Sequence, residues 1–422
     1  MTLNYVCRKC GKVYSETEFQ SSSYCTECGV YLLRKFSVTP PEIESAPKAS
    51  GKQQTVTVPQ PKEAADLSRV AENLRKRSQT TKEYEVLPTA ESKKPAEGLG
   101  ADGWIFSSDY DLALRLKADL LKKFESVKLE DAIAGKAVSN EHGECYCVQE
   151  RHDVLFEPAG FEESRRVLLS DLKILPGIGP AREKDLKTQG YKTIEDLAGN
   201  LKWRKPAKDY LKLVESKNVL GLQDRLRRCL PKSHPLSHYL AGFCRSEDFA
   251  IIDIETLGLF GRPIILVGEA NVEDGHVVTR QFLVRDVSEE AAALWEFTSK
   301  LGVDCAFVSF NGRCFDVPFI RERLAYYGLG ADEVFGNLHF DVLHFTRRAF
   351  RDRLSNCRLE TVEKHLGIKR SINIPGALVP EFYDSYQRSG NVGPLVAIVE
   401  HNKQDLVTLA QLFCSLYREW NL

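Results

Sequence analysis

The residues of this chain best suited to chemistry are acidic. Residues 249–256 run from four apolar or small side chains into Asp253, Ile254, Glu255 and Thr256. In a buried strand, side-chain alternation sends Asp253 and Glu255 to one face. Two adjacent carboxylates repel each other and are costly to desolvate. A solvated strand end relieves that cost without any function, whereas a bound divalent cation offsets the repulsion and gives the pair a use. The second reading requires more carboxylates downstream, and they occur. Asp316 follows an apolar run, and His401 and Asp405 stand four apart on what reads as one helix face. Such oxygen donors suit hard ions such as Mg or Mn, which also bind substrate phosphate.

The surrounding pattern supplies the elements that must place these groups. Apolar stretches at 263–272 and 276–284, joined by Glu273, Asp274 and Gly275, form an antiparallel meander with the opening strand. A helical period over 288–301 precedes a fourth strand at 305–310. That strand ends at Asn311, so Asp316 falls beside the start of a helix over 317–327, where a carboxylate is well tolerated. Residues 246–422 therefore read as an α/β core with a mixed sheet of about five strands, the first three antiparallel, flanked by helices.

Taken in order, D-x-E at Asp253 and Glu255, N-G-x-x-F-D at Asn311 to Asp316 and H-x3-D at His401 to Asp405 resemble the three exonuclease motifs of the DEDD (DnaQ-like) superfamily, which has the ribonuclease H fold. Residues 339–348, 357–367 and 374–376 look more specifically like the YprB-type branch, ribonuclease H-like proteins regarded as predicted exonucleases. The resemblance covers residues 246–415. It implies that Asp253 bridges two Mg or Mn ions, that Glu255 and Asp405 complete the first ion's site, and that Asp316 supports the second through water. His401 would deprotonate or orient the attacking water, and cleavage would proceed from a 3′ end. Two ions about 4 Å apart can clamp the attacking and leaving oxygens of an in-line hydrolysis.

The H-x3-D spacing is that of the Tyr-type subfamily although the residue is His, which leaves the role of His401 less defined than those of the four acids. Asp341 reads either as a helix cap or as support for the metal site. Arg347, Arg348, Arg351, Arg353 and Arg358 form a strand path or a solvated face; with Asn311, Arg347 and Arg348 are taken as nucleic-acid contacts. Cys305, Cys314, Cys357 and Cys414 read as core thiols.

Ahead of this core, Cys7, Cys10, Cys25 and Cys28 form two C-x2-C knuckles fourteen residues apart, each followed by glycine. That spacing fits a closed, structural zinc ribbon over 1–36, able to contact nucleic acid or a protein partner. Residues 37–103 hold seven of the 18 prolines and a single aromatic residue, Tyr84, and read as a disordered linker. Residues 104–164 read as a small α+β accessory region containing a hairpin. Residues 165–245 begin with Leu175 to Pro180, which, with the following residues to Leu197, resemble a helix-hairpin-helix element. In that family the backbone N–H groups of the loop, here at Gly177, Ile178 and Gly179, hold a phosphate without reading bases. Glu183 stands where the family has a small residue, and near that contact its charge would weaken binding, which leaves a purely structural hairpin as the alternative.

Residues 201–235 carry ten Lys/Arg against three Asp/Glu, and 246–422 carry 18 against 25. A basic part beside an acidic core divides substrate holding from metal binding, and Lys202, Arg204 and Lys205, interleaved with Trp203 and Tyr210, read as a phosphate-backbone track or as a solvated helical face. Scattered cysteines and the lack of any membrane-length apolar run favour a cytoplasmic protein. The resulting expectation is a metal-dependent 3′–5′ exonuclease acting on DNA ahead of RNA. Its rivals are a structure-selective endonuclease on the same fold, a non-catalytic nucleic-acid adaptor and a zinc-ribbon assembly factor.

Overall fold

Residues 249–252 are apolar on both faces of a strand, so the strand needs pairing partners at both edges and cover on both sides. The computed structural model describes residues 104–259, 261–330, 334–372 and 374–420, together with four short strands nearer the N-terminus. Two units separate, Met1–Lys62 and Glu63–Leu422. In the first, Asn4–Val6 lies between Val13–Ser15 and Leu33–Lys35 in an antiparallel sheet. Cys7, Cys10, Cys25 and Cys28 lie outside the described residues. So does most of the expected linker, although Glu85–Leu87 within it pairs in parallel with Trp104–Phe106.

The second unit is built on a seven-stranded sheet. Its strands are β1 (Lys136–Asn140), β2 (Gly143–Leu155), β3 (Phe249–Thr256), β4 (Ile264–Glu273), β5 (His276–Leu283), β6 (Ala306–Ser309) and β7 (His339–Asp341). The order is β7-β6-β3-β4-β5-β2-β1, with β6 parallel to both β3 and β7 and every other pair antiparallel. The β4–β5 hairpin turns at Asp274 and Gly275, both with positive φ, which suits the twist of a two-residue turn.

Residues 246–422 supply the expected five strands, β3 to β7, and β1 and β2 extend their sheet to seven. The hairpin assigned to an accessory region continues the central sheet, β2 pairing with β5 through Leu283↔Tyr146 to His276↔Leu155. Tyr146 and Val148 are buried beneath one set of helices, and Cys145 and Cys147 beneath the other. A strand apolar on both faces cannot remain outside a sheet.

Helices cover both faces. On one, α5 (Glu290–Lys300) and α6 (Asp316–Tyr327) bury Ile252, Ile254, Val267 and Phe282 against Phe297 and Phe319. Arg323 of α6 forks onto Glu290, at 2.7 Å and 2.6 Å, and Glu290 also accepts the β4 backbone N–H of Ile264 at 2.8 Å. This buried pair fixes the helix that begins at Asp316. The other face receives α10 (Gly393–Ser415), whose Leu406, Leu409 and Phe413 pack with Phe249 and Ile251. Helix Ser107–Lys123 packs at the start of α10, where a Cβ on Gly393 would meet the Leu120 carbonyl at 2.5 Å.

Candidate active site

Odd-numbered residues of β3 face α10, which puts Asp253 and Glu255 under the middle of that helix. Asp253 pairs in register with Gly268 of β4. A Cβ at Gly268 would lie 2.1 Å from Asn402 Oδ1, so the missing side chain is what lets Asn402 reach the sheet. Asn402 Nδ2 donates to Asp253 Oδ2 at 2.7 Å and to the Asp253 carbonyl at 3.2 Å, while its own Oδ1 accepts from Gln281 at 2.9 Å.

Asp316 arrives from the loop after β6. Its Oδ1 accepts the Ile254 N–H at 3.2 Å, which docks it beside the acidic pair. The loop is tied down by Asp341, whose carboxylate accepts the backbone N–H groups of Asn311 at 2.9 Å and Arg313 at 3.4 Å. Asp341 makes no side-chain cap on the helix it precedes. Its work is to shape the turn, in which Asn311 has φ of +69°. Gly312 is required there, since a Cβ would lie 2.4 Å from Ser309 Oγ.

Asp405 and His401 come from one face of α10. His401 Nε2 lies 3.6 Å from Asp405 Oδ2 and 3.8 Å from Glu255 Oε1. The four acids thus converge. Burial, and then the neighbouring carboxylates, hold Asp253 and Glu255 well above the usual carboxylate range. Burial, with Asp341 and Asp405 nearby, raises Asp316 to about 7.

The cation in this cluster is Arg370, which the sequence reading did not single out. Its guanidinium donates to Asp405 Oδ1, and Nη1 lies 2.9 Å from His401 Nδ1. Nε and Nη2 also fork onto the buried Glu363, at 2.9 Å and 3.0 Å. Glu363 in turn accepts from Thr408 Oγ1 at 2.6 Å. Arginine carries only donors, so His401 Nδ1 is an acceptor and the proton of the neutral ring sits on Nε2, facing the carboxylates. Burial pushes the His401 pKa down, in keeping with a neutral ring.

As a donor set, oxygens of Asp253, Glu255, Asp316 and Asp405 fit a hard divalent ion. The raised carboxylate pKa values come first from burial and then from neighbouring like charge, and such an ion would relieve both costs. Among the described residues no three His, Cys, Asp or Glu side chains are gathered closely enough, as they stand, to hold a metal ion. Asp405 meets Arg370 through Oδ1, Asp253 meets Asn402 through Oδ2 and Asp316 meets the Ile254 N–H through Oδ1.

The residues read as nucleic-acid contacts differ in their exposure. Gly177, with φ of +78°, and Gly179 are exposed at the loop before Pro180–Thr188, and Ile178 is buried as its anchor. Glu183 is turned inward, away from the position feared for it. It accepts the Leu172 N–H at 3.1 Å and meets Lys173 and Lys187 at 2.7 Å and 3.0 Å. Lys202, Arg204 and Lys205 are exposed, whereas Trp203 and Tyr210 are buried, so these rings are core rather than stacking platforms. Arg227 of the same basic segment lies close enough to Arg313 to help lower its pKa to about 10, burial being the larger cause. Arg347 and Arg348 are exposed on Val342–Phe350. Of the supposed core thiols, Cys305 is buried, Cys357 and Cys414 are half-buried, and Cys314 is exposed beside Asp316.

Sheet order, the β3 acids and α10 across them define a ribonuclease H-like domain, and residues 250–417 match the RNase_H superfamily. The chain is also similar to the uncharacterized protein YprB of Bacillus subtilis (strain 168), 32% identical over 195 residues, which cover 44% of this chain and 46% of that protein. The chain therefore spans less than half the length of this curated relative. No helix among the described residues is long and apolar enough to cross a membrane.

Proposed function

We propose that this protein hydrolyses nucleic-acid phosphodiester bonds with Mg or Mn held by Asp253, Glu255, Asp316 and Asp405, as a 3′–5′ exonuclease acting on DNA. The observation that carries the reading is the convergence of four carboxylates from a strand, a loop and a helix, of which Asp253, Glu255 and Asp316 have raised pKa values. When bound, the ions would supply Lewis-acid stabilisation of the phosphate and an activated water. Asn402 and the Ile254 N–H hold Asp253 and Asp316 in place, and His401 offers an N–H donor to the reacting group. The exposed loop at Gly177 and Gly179, and the basic side chains Lys202, Arg204, Lys205, Arg347 and Arg348, would hold the phosphate backbone. A structural zinc on Cys7, Cys10, Cys25 and Cys28, a protein partner for that ribbon and a cytoplasmic setting belong to the same proposal.

The test is a panel of single-stranded, duplex and junction DNA and RNA, labelled at either end, incubated with the full chain and Mg or Mn. Stepwise shortening from the 3′ end, blocked by a 3′ cap and abolished by Asp253→Asn, is the expected result. Internal cuts on capped substrates would replace the exonuclease with an endonuclease. Metal-dependent cleavage that survives Asp253→Asn would overturn the site.

A further inference from the structure

Arg370 makes more contacts than a neutralising partner needs. An arginine that only balanced Glu363 would be satisfied by the two-pronged fork at 2.9 Å and 3.0 Å. Its remaining donors reach two particular atoms of the candidate centre, Asp405 Oδ1 and His401 Nδ1. The fork removes the freedom of the guanidinium, and Thr408 fixes Glu363 from α10, the helix that carries His401 and Asp405. The plane of the guanidinium is therefore locked to the side chains it addresses.

We propose that Arg370 is a positioning residue: it holds His401 in the Nε2–H form and fixes one oxygen of Asp405, so that His401 orients the group it meets by donating a hydrogen bond and does not take a proton from it. The proposal rests on the hydrolytic reading of the site. For Nε2 to accept a proton, the ring would first have to carry its hydrogen on Nδ1. That hydrogen would face a guanidinium N–H, which loses one hydrogen bond and leaves a buried donor unsatisfied. The nitrogen remote from the reaction thus decides what the near one can do. The proton acceptor in the reaction is then a group other than His401.

The experiment uses the full chain labelled with 15N-histidine, without added metal, and reads the His401 ring nitrogens, assigned by their loss in His401→Gln. The expected wild-type spectrum is that of the Nε2–H tautomer. Arg370→Lys keeps the charge but cannot span Glu363, Asp405 and His401 together. It is expected to admit the Nδ1–H tautomer and to lower kcat about 10- to 100-fold with KM little changed. If Arg370→Gln fails to fold because Glu363 is left unpaired, Arg370→Gln combined with Glu363→Gln carries the same expectation. An Nδ1–H ring in the wild type, or Arg370→Lys with both tautomer and kcat intact, overturns the proposal. An Nδ1–H ring alongside normal cleavage overturns this proposal alone. An Nε2–H ring in a chain that cleaves nothing overturns the hydrolytic reading and, with it, any use for the donor.

Discussion

Asn402 Nδ2 lies 2.7 Å from Asp253 Oδ2, and the side chain reaches that position across the backbone of Gly268. The central carboxylate of the cluster is therefore aimed by a neutral amide whose other end is held by Gln281. A neutral donor fixes the direction of Asp253 without cancelling its charge, which a lysine or arginine in the same place would do.

Gly268→Ala and Asn402→Ala are expected to fail in the same way. The added Cβ would fall 2.1 Å from Asn402 Oδ1, and three hydrogen bonds deny the amide an easy retreat. Each variant is expected to lose about 2 kcal/mol of stability and at least 10-fold in metal-dependent cleavage. Thermal unfolding and Mn titration read the two effects separately. A fully active Gly268→Ala would show that Asn402 does not aim Asp253.

Glu269 gives a pH dependence with a defined sign. Burial raises its pKa to about 7, and neither carboxylate oxygen has a hydrogen-bond partner among the described residues, although Arg280 Nη1 stands 3.7 Å away. The folded state binds this proton more tightly than the unfolded state does. Its contribution to stability is thus complete below the ordinary glutamate range and is lost as pH rises through about 7. Glu269→Gln is expected to match the wild type near pH 4 and to exceed it by on the order of 3 kcal/mol at pH 8. Denaturant unfolding across that range checks it, and a pH-independent difference between the two proteins would refute it.

Arg347 and Arg348 are exposed and occupy one short helix that follows directly from Asp341. As contacts to phosphate, their joint replacement by alanine should weaken binding of every sequence alike. It should also lower the slope of log K against log salt by about 2. Fluorescence anisotropy in the Asp253→Asn background, without added metal, provides the measurement, and an unchanged slope removes them from the interface.

Glu183→Ala separates two accounts of the hairpin. A carboxylate lying at the phosphate contact would, once removed, tighten nucleic-acid binding. In the structure it ties Leu172, Lys173 and Lys187 together. Removal is therefore expected to cost about 1–2 kcal/mol without any gain in affinity. Tighter binding at unchanged stability would restore the first account.

Local pattern carried much of this architecture. The run into Asp253, the turn at Asp274 and Gly275 and the helical spacing of His401 and Asp405 each depend on neighbours a few residues away, and each element stands where the pattern put it. What pattern could not supply was partnership at long range. Nothing near Tyr146 announces that its strand pairs with Leu283, 137 positions later. Arg370 sits just past the helix ending at Leu366, in no motif and on no periodic face, and acquires its role only from the folding of Glu363 and Asp405 around it. Asn402 was hidden differently: it stands beside His401, where a motif draws attention to its neighbour. The glycine opposite Asp253 was the available signal, since a bare position inside a strand marks a close approach.

His238 is walled by Phe345, Phe413 and Tyr417, and its Nδ1 accepts from the Trp420 indole at 2.9 Å. Phe413 lies on α10 eight residues beyond Asp405, about 12 Å along a continuous helix. The segment that leads out of the hairpin region and the rod that bears Asp405 thus meet in an aromatic joint. Packing around His238 therefore bears on the same continuous helix that carries His401 and Asp405.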